Sequence, residues 1–572
     1  MSDTEAIGTP YRSGSLSGSP PQAAARSETI AGPVSSLNFP LQLNDDVFIT
    51  IAEVLFIERA LLPFSMTCRS IRERCMSMLF RESVFSATAP VTSSDIPQRI
   101  LPYVRSLTII DRCPDVYAWD NLMGRTESRT PVVLEPQYTD DPLLCGVLDG
   151  EVLHAALSAM PLLHTFQLRL DGSAVHGLPP RVLHGILTVP HLQRFTCTGY
   201  TISPRSSALE DAMFHSLAKL SSFEYSRDDY RHEPRVYDSE AQMLRLILRH
   251  LHQTLEVLAI PVEAAPLPLL RDISWPSLRV LKLRGEPVSS EEHYTPSILT
   301  LKNMPALRRL DLQFATREGI FPQPIWPRGY RLDSVLTSPW PDLEHLTVSF
   351  PSASDEIFEH LPNTLRSLTL QYYPHLSTHR WTVDNTNAQW QWPVVTATEV
   401  LRILRTCVPD LERLEVEYHQ DDGEERLLEY IAGAFPNLTS LCIRRYRAPD
   451  VSQVDVEGIA RPLGALAHLR VLYLHLDLPE TPVPAPVRWG RDIQAQDERP
   501  YAQALDRSAE VLARNLGPSV ELIKLLRPHE AYYWDHPWAV YKVSRGSDPD
   551  SGTSGRAEYS SELSRDPPQV LT

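Results

Sequence analysis

The sequence predicts a small all-α domain followed by an α/β repeat solenoid, in which parallel strands form a concave face and helices a convex face. Three observations lead to this prediction. A segment near the N-terminus has purely helical periodicity, a six-residue apolar pattern then recurs along the chain, and helical spacing fills the intervals between its copies. The predicted boundaries are a disordered N-terminus at 1–38, the helical domain at 39–88, the solenoid with a C-terminal cap at 89–543, and a disordered tail at 544–572.

The overall composition is that of a folded protein. Of the 572 residues, 42% are hydrophobic and 22% are charged, which is typical of globular domains. No run of about 18 apolar residues could span a bilayer, and the first residues have neither the basic start nor the apolar core of a secretory signal. We therefore expect no membrane association and a location in the cytoplasm, the nucleus or both.

Cysteine usage, net charge and motifs narrow the possible functions. The seven cysteines are scattered, odd in number and never spaced as CxxC, so we expect reduced thiols and no zinc site. A net charge of −17 opposes attraction to phosphate backbones, and we expect no nucleic-acid partner. Because no phosphate-binding, zinc-protease or serine-hydrolase motif is present, the sequence predicts no cofactor and no enzyme activity. A catalytic site assembled from loops is the weaker alternative.

The first segment with regular helical periodicity is LNDDVFITIAEVL, residues 43–55. Val47, Ile51 and Leu55 recur at i, i+4 and i+8 and form an apolar stripe, and Asn44 or the aspartate after it can cap the helix start. Two further short helices are predicted in ERALLPFSMTC and RSIRERCMSMLFRESVF. So few residues make a meagre core. Either part of this apolar surface needs a partner, or the helices cap the solenoid that follows.

The repeated pattern is L-x-x-L-x-L, in which other apolar residues can replace leucine. Most copies are separated by 22 to 36 residues, and the stretches between them, such as EAQMLRLILRHL and EERLLEYIAGAF, have helical spacing. Leucine-rich repeats combine one strand and one helix in about 20–29 residues, so these are long, irregular repeats of that class. The copies are VRSLTI (104–109), LHTFQL (163–168), LQRFTC (192–197), LSSFEY (220–225), LEVLAI (255–260), LRVLKL (278–283), LRRLDL (307–312), LEHLTV (343–348), LRSLTL (365–370), LERLEV (411–416), LTSLCI (438–443) and LRVLYL (469–474).

Candidate substrate-binding residues lie on the concave face. Strand side chains alternate between two faces, so the residues between and after the repeat leucines are predicted to face the ligand side. Near the C-terminal end they become charged and aromatic, which suits a protein ligand, although a solvated face that binds nothing is the alternative for any one of them. The candidates are Glu415, Glu417, Arg444, Tyr473 and His475.

Aromatic residues outside the repeat pattern form a second group of candidates. The long interval between the repeats at 365 and 411 contains Trp381 and Trp390. Aromatic side chains in a long loop either anchor an interface or cover the loop's own core, and both interpretations remain open. Near the C-terminus, ELIKLL and AYYWDHPWAVYKVSRG predict a last strand or two, with Trp534 and Trp538 closing the exposed end of the core.

Residues 43–72, placed ahead of leucine-rich repeats, resemble an F-box. The first half of the F-box pattern has Leu-Pro-x-Glu and then apolar residues every three or four positions; the second half has Asp-Leu-Leu, an apolar-Cys-basic cluster and a Trp. Here Asn44 stands in place of the usual proline, and Ile71 stands near the usual Trp. The residues that carry the resemblance are Leu43, Asn44, Asp45, Asp46, Val47, Ile51, Leu55, Leu61, Leu62, Met66, Thr67, Cys68 and Arg69.

The resemblance implies a role in ubiquitination. An F-box followed by leucine-rich repeats implies binding to the Skp adaptor, and through it to the cullin, of an SCF ubiquitin ligase, while the repeats bind an unknown protein substrate. Only five of the 54 basic residues are lysines, which fits a receptor that avoids its own ligase, although codon bias also explains it. The alternative function is a leucine-rich-repeat scaffold without a ligase role. The residues implied for adaptor binding are Leu43, Asn44, Asp46, Val47, Ile51, Leu55, Leu62, Met66 and Cys68.

Overall fold

A computed structural model of the chain divides into two compact units, Met1–Cys75 and Met76–Thr572. Each unit is described by itself. The first unit is described from Asn44 onward, so Leu43 and the predicted disordered segment at 1–38 lie outside the described residues. The structure describes residues 44–87, 97–111, 150–170, 178, 180–202, 216–226, 238–287, 297–315, 324–330, 339–373, 375–376, 393–407, 410–448, 450–482, 499–527, 538–545 and 555–560.

The first unit is helical. It contains α1 (Asp45–Ile57), α2 (Leu61–Ser65) and the start of α3 (Arg69–Leu79). Helix α1 begins where the Asn44 side chain accepts a hydrogen bond from the Asp46 backbone N–H (3.2 Å), and such an N-cap satisfies a donor that the helix itself leaves unpaired. It ends where Arg59 adopts a left-handed conformation (φ 58°), the backbone turn that commonly terminates helices.

The core of the first unit is small. Phe48 and Ala52 of α1 are buried, together with Leu61 of α2 and Ile71 and Cys75 of α3. An ion pair joins Arg74 Nη2 to Asp45 Oδ1 (2.7 Å), and the Arg74 guanidinium lies 3.9 Å from the centroid of the Phe48 ring. Phe48 and Ala52 face inward, whereas Val47, Ile51 and Val54 of α1 are exposed.

The second unit is built on one sheet. Its described part contains 16 strands in chain order. The strands β1 to β14 pair in parallel, and β15 and β16 continue the sheet antiparallel. The strands are β1 (Glu82–Ala87), β2 (Ser106–Asp111), β3 (Thr165–Leu170), β4 (Arg194–Thr198), β5 (Ser222–Ser226), β6 (Val257–Pro261), β7 (Val280–Gly285), β8 (Arg309–Phe314), β9 (His345–Ser349), β10 (Ser367–Gln371), β11 (Arg413–His419), β12 (Ser440–Tyr446), β13 (Val471–His475), β14 (Leu522–Leu526), β15 (Trp538–Arg545) and β16 (Gly555–Tyr559).

Helices and short 3₁₀ turns connect the strands and pack on one face of the sheet, where their apolar residues join those of the strands in a continuous core. The helices are α4 (Gly150–Ser158), α5 (Pro180–Leu187), α6 (Asp238–Leu251), α7 (Leu267–Asp272), α8 (Ser297–Leu301), α9 (Ala397–Thr406), α10 (Glu424–Ala434), α11 (Val456–Leu463) and α12 (Arg499–Asn515), and the 3₁₀ turns are Leu101–Tyr103, Val262–Ala264 and Glu356–Glu359.

Repeat leucines stack in rows across the strands. Leu414, Leu441, Leu472 and Ile523 occupy equivalent positions in β11 to β14, and all four are buried. Rows of this kind let each repeat bury its apolar face against its neighbours. The predicted alternation of strands and helices in a leucine-rich-repeat solenoid is therefore confirmed. None of the helices in the described ranges is long and apolar enough to cross a membrane.

Two strands lie outside the predicted solenoid boundaries. Strand β1 falls within the predicted helical domain, because its residues find a parallel partner in β2. Strand β16 falls within the tail predicted to be disordered at 544–572, and it pairs antiparallel with β15. Both strands lie at an edge of the sheet, and their conformation is decided by pairing with the neighbouring strand. Trp534, expected at the C-terminal cap, lies outside the described residues.

The packing of β16 against α12 leads to a first testable prediction. A Cβ atom added to Gly555 would lie 2.3 Å from the backbone oxygen of Ala513 in α12, and such overpacking costs about 1–3 kcal/mol. We expect Gly555→Val to lower the melting temperature of the full chain, measured by differential scanning fluorimetry. The exposed residue Glu558 of the same strand supplies the control Glu558→Gln, which should leave it unchanged. Equal melting temperatures for both variants would mean that the tail does not pack as β16.

Candidate functional site

Side chains that alternate away from the core form the open face of the sheet, which we define as the face opposite the helices. In β10, for example, Leu368 and Leu370 are buried in the core, while Ser367 and Thr369 are half-buried on the open face. Between β8 and β15 this face contains a groove of about 330 Å³, called the open-face groove below. Its lining residues are Arg309, Asp311, Gln313, His345, Thr347, Ser367, Thr369, Gln371, Arg413, Leu414, Glu415, Ser440, Cys442, Arg444, Tyr473 and Trp538.

An ion pair lies in the middle of the open-face groove. Arg444 Nε on β12 is 3.1 Å from Glu415 Oε1 on β11, and both side chains are largely buried. Cys442 lies directly beside Glu415 in the strand register. Burial, with Glu415 nearby, raises the pKa of the Cys442 thiol well above its usual value. The thiol therefore stays protonated at neutral pH and is a poor nucleophile.

Two aromatic rings close one end of the open-face groove. Tyr473 and Trp538 pack edge to face with ring centroids 5.2 Å apart, an arrangement that aromatic pairs favour. The Arg444 guanidinium lies 5.3 Å from the Trp538 ring centroid, and Lys524 Nζ donates to the Tyr473 hydroxyl (3.2 Å). This end of the groove thus offers an apolar surface beside two cations.

A second ion pair lies at the other end of the open-face groove. Arg309 Nε is 2.8 Å from Asp311 Oδ2 on the same strand. The other carboxylate oxygen, Asp311 Oδ1, is buried and has no hydrogen-bond partner among the described residues. A buried acceptor without a donor costs free energy until a donor reaches it.

The sequence-predicted substrate residues divide into three groups. Glu415, Arg444 and Tyr473 line the open-face groove. Glu417 and His475 occupy open-face positions in the register but are buried, 0% and 3% exposed. The segment after β10 packs on Glu417, and the Tyr446 ring packs on His475. Glu417 and His475 are not accessible to a ligand, and the expectation that they contact substrate directly is not met. Trp381 and Trp390 lie outside the described residues.

Glu417 instead anchors the segment that follows β10. The backbone N–H groups of Tyr372 (2.9 Å) and Leu376 (3.2 Å) and the Tyr446 hydroxyl (2.5 Å) donate to its carboxylate, and His375 Nδ1 lies 2.8 Å away. Burial by itself raises the pKa of the Glu417 carboxyl, but the nearby His375 and Arg444 outweigh it and lower the pKa to about 2. The buried side chain of His475 packs edge to face on Tyr446, with ring centroids 5.2 Å apart.

Several groove residues were missed by sequence reasoning. Arg309, His345 and Arg413 lie two residues before the predicted concave positions, and extending the same alternation one step toward the N-terminus would have found them. Trp538 was assigned to the cap alone. It reaches the groove because β15 returns antiparallel beside β14, a pairing that no local sequence signal specifies.

The residues implied for adaptor binding lie on an exposed apolar surface of the first unit. Val47, Ile51, Leu62 and Met66 are 47%, 39%, 61% and 68% exposed, and Leu55 is half-buried. Asn44, Asp46 and Cys68 are exposed. The described residues contain twelve exposed large apolar side chains, and eight of them fall between residues 47 and 66. We call this set the α1–α2 apolar surface: Val47, Ile49, Ile51, Val54, Phe56, Ile57, Leu62 and Met66.

Within the described ranges, no group of three or more His, Cys, Asp or Glu side chains is placed to hold a metal ion. No family model and no curated protein matches the chain.

Two solved structures of leucine-rich-repeat type have a weak overall similarity to it. The first is a crystal structure of a TLR13–ssRNA13 complex, 12% identical, with a TM-score of 0.24, where the match covers 72% of this chain and only 56% of the other. The second is the leucine-rich-repeat-containing protein LegL7 from Legionella pneumophila, 13% identical, with a TM-score of 0.23, where the match covers 59% of this chain and 84% of the other.

The lowered pKa of Glu417 predicts a pH dependence of stability. A carboxyl whose pKa falls from 4.5 to about 2 on folding contributes about 3 kcal/mol. That contribution is complete above about pH 4.5 and is lost as the pH falls toward 2. We expect Glu417→Gln to lower the free energy of unfolding by about this amount at neutral pH, and the difference from the unmodified chain to shrink in acid. Urea unfolding at several pH values measures both effects.

The exposed neighbour Glu412 provides the control, because Glu412→Gln removes a carboxylate from the same strand region without removing a buried one. Its effect on the free energy of unfolding should stay within about 0.5 kcal/mol. The same pH dependence in both variants would contradict the assignment of the acid-sensitive contribution to Glu417.

Proposed function

We propose that the chain is a substrate receptor of an SCF-type ubiquitin ligase. Its first unit acts as an F-box that binds the Skp adaptor, which links it to the cullin, and the open-face groove binds a protein that is then ubiquitinated. The chain contributes no catalytic residue of its own. The observation that carries the proposal is the α1–α2 apolar surface, formed by eight of the twelve exposed large apolar side chains of the described residues.

Such a concentration of apolar side chains needs a partner. Apolar patches on the surface of a folded protein mark interaction sites, and covering one Val, Leu, Ile or Met side chain fully stabilises a complex by roughly 1.5–3 kcal/mol. The core-facing residues Phe48 and Ala52 already fill the interior of the unit, so the exposed stripe of Val47 and Ile51 has no internal partner to reach. Its position agrees with the residues that the F-box resemblance implies for adaptor contact.

Each of the two departures from the F-box pattern has a structural role in this chain. Asn44 stands where the family has proline, and its side chain caps α1, so the helix start is stabilised by a hydrogen bond instead of a fixed backbone angle. Ile71 stands near the usual Trp and is buried in the core of the unit. Neither substitution removes an apolar side chain from the α1–α2 apolar surface.

A leucine-rich-repeat scaffold without a ligase role is the second candidate. The open-face groove favours it equally, because a groove with an ion pair and two aromatic rings suits a protein ligand whether or not that ligand is ubiquitinated. Adaptor binding therefore distinguishes the two candidates.

Direct binding of the full chain to the purified Skp adaptor tests the proposal. The double variant Val47→Asp, Ile51→Asp places two carboxylates on the α1–α2 apolar surface. Because burying an unpaired charge is costly, we expect at least about a hundredfold loss of adaptor affinity, measured by calorimetry. The melting temperature should hardly change, since both side chains are exposed.

A matched control places the same charge on exposed apolar residues of the second unit. Leu162→Asp combined with Tyr330→Asp should bind the adaptor as tightly as the unmodified chain does, since both residues are exposed and neither belongs to the proposed F-box. Failure of the unmodified chain to bind the adaptor would refute the ligase role and leave the scaffold candidate.

A further inference from the structure

Three basic side chains on the open face have no acidic partner. Lys282 on β7, Arg413 on β11 and Lys524 on β14 are all half-buried, and no described carboxylate lies within ion-pair distance of any of them. Partial burial weakens the hydration of a charge. Lys524 recovers part of the loss through its hydrogen bond to the Tyr473 hydroxyl, but none of the three cations has a carboxylate that neutralises it. Each of them therefore gains from an anionic group that enters the face.

The acidic side chains that line the open-face groove form their ion pairs with other residues of the groove. Asp311 pairs with Arg309 and Glu415 pairs with Arg444. Five basic residues and three acidic residues, counting the buried Glu417, thus share this part of the face. The local charge is positive, although the whole chain carries −17, and such a segregated charge attracts ligands of the opposite sign.

The three cations without a carboxylate partner are spread across the open face, and Arg413 lies two residues before the register row that joins Lys282 to Lys524. Lys282 is the register neighbour of Asp311, and Lys524 is the register neighbour of Tyr473, so both continue the row of residues that lines the groove. Strands lie about 4.8 Å apart, which puts Arg413 about 19 Å from Lys282 and about 14 Å from Lys524 across the sheet. An extended peptide advances about 3.3 Å per residue. Acidic side chains about six and then four residues apart would therefore meet all three cations.

The remaining features of the groove fit a peptide better than a nucleic acid such as RNA. Asp311 Oδ1 is buried without a partner among the described residues, and a peptide can supply a backbone or side-chain N–H to it. The negatively charged phosphates of a nucleic acid repel this carboxylate. The edge-to-face pair of Tyr473 and Trp538 adds a place for one apolar side chain of the ligand.

The geometry points to an acidic, extended segment of a partner protein as the occupant of the open-face groove, held across β7 to β14 by Lys282, Arg413 and Lys524. This inference rests on the proposed function, which assigns ligand binding to the open-face groove. It adds the chemical class of the bound protein segment.

Fluorescence anisotropy with labelled peptide pools tests it on the full chain. The pools contain random peptides of about 12 residues, long enough to cross the groove. An acidic pool carries Asp and Glu, a neutral pool has Asn and Gln in their place, and a basic pool has Lys and Arg. A single-stranded oligouridine of similar length is the fourth probe. We expect the acidic pool to bind most tightly, and high salt to weaken it.

A triple variant and its charge-matched control locate the binding. Lys282→Gln, Arg413→Gln and Lys524→Gln together should weaken binding of the acidic pool at least about tenfold. The control Lys219→Gln, Lys302→Gln, Arg402→Gln changes the net charge equally at exposed positions away from the groove lining, and it should bind like the unmodified chain. Both triple variants should keep the melting temperature, because none of these residues is in the core.

Several outcomes would overturn the inference. They are binding that does not depend on peptide charge, equal loss in both triple variants, no binding of any peptide pool, or binding of the oligouridine in place of the acidic peptides. None of these outcomes bears on adaptor binding, since the peptides are tested without the adaptor. Conversely, an acidic pool that binds while the Skp adaptor does not would refute only the ligase role.

Discussion

Each strand of the sheet relies on the strands beside it for its backbone hydrogen bonds, and the whole second unit depends on this pairing. A parallel strand leaves its backbone N–H and C=O groups unpaired unless a neighbour lies on either side. Here β1 to β14 pair in unbroken parallel order, and the row that runs through Leu414, Leu441, Leu472 and Ile523 is buried beneath the ladder. Stability thus comes from the ladder and the core, so the open face is free to carry the side chains that bind a ligand.

Irregular repeat lengths require further anchors, and buried carboxylates supply them. Glu417 accepts backbone N–H groups of the segment after β10. Asp355 accepts those of Ile325, Trp326 and Ile357, and burial raises the pKa of its carboxyl even though these hydrogen bonds oppose the rise. A carboxylate can accept several backbone N–H groups at once. A connection without regular secondary structure leaves such groups unpaired, so it needs an acceptor of this kind. The same covering segments make Glu417 inaccessible to ligands.

The chain contains two surfaces of contrasting chemistry. The α1–α2 apolar surface of the first unit has exposed aliphatic side chains around a small core. The open-face groove of the second unit has paired and unpaired charges and two aromatic rings. Burial of apolar side chains supplies much of the affinity for a partner that is always the same. The placement of charges supplies specificity among different ligands. This division of chemistry is consistent with the proposed receptor, in which one surface would bind a constant adaptor and the other would select a substrate.

By itself the sequence determined the repeat fold, because the alternation of apolar residues along a strand and their helical spacing between strands are local patterns that burial turns directly into structure. It also identified Glu415, Arg444 and Tyr473 as groove residues, and the stripe of Val47 and Ile51 as a surface feature. Only the tertiary structure decided that Glu417 and His475 are buried, that Trp538 reaches the groove, and that β1 and β16 join the sheet. Each of these outcomes depends on contact with another segment, which covers a strand end or pairs with an edge, and the local pattern of apolar residues does not encode that contact.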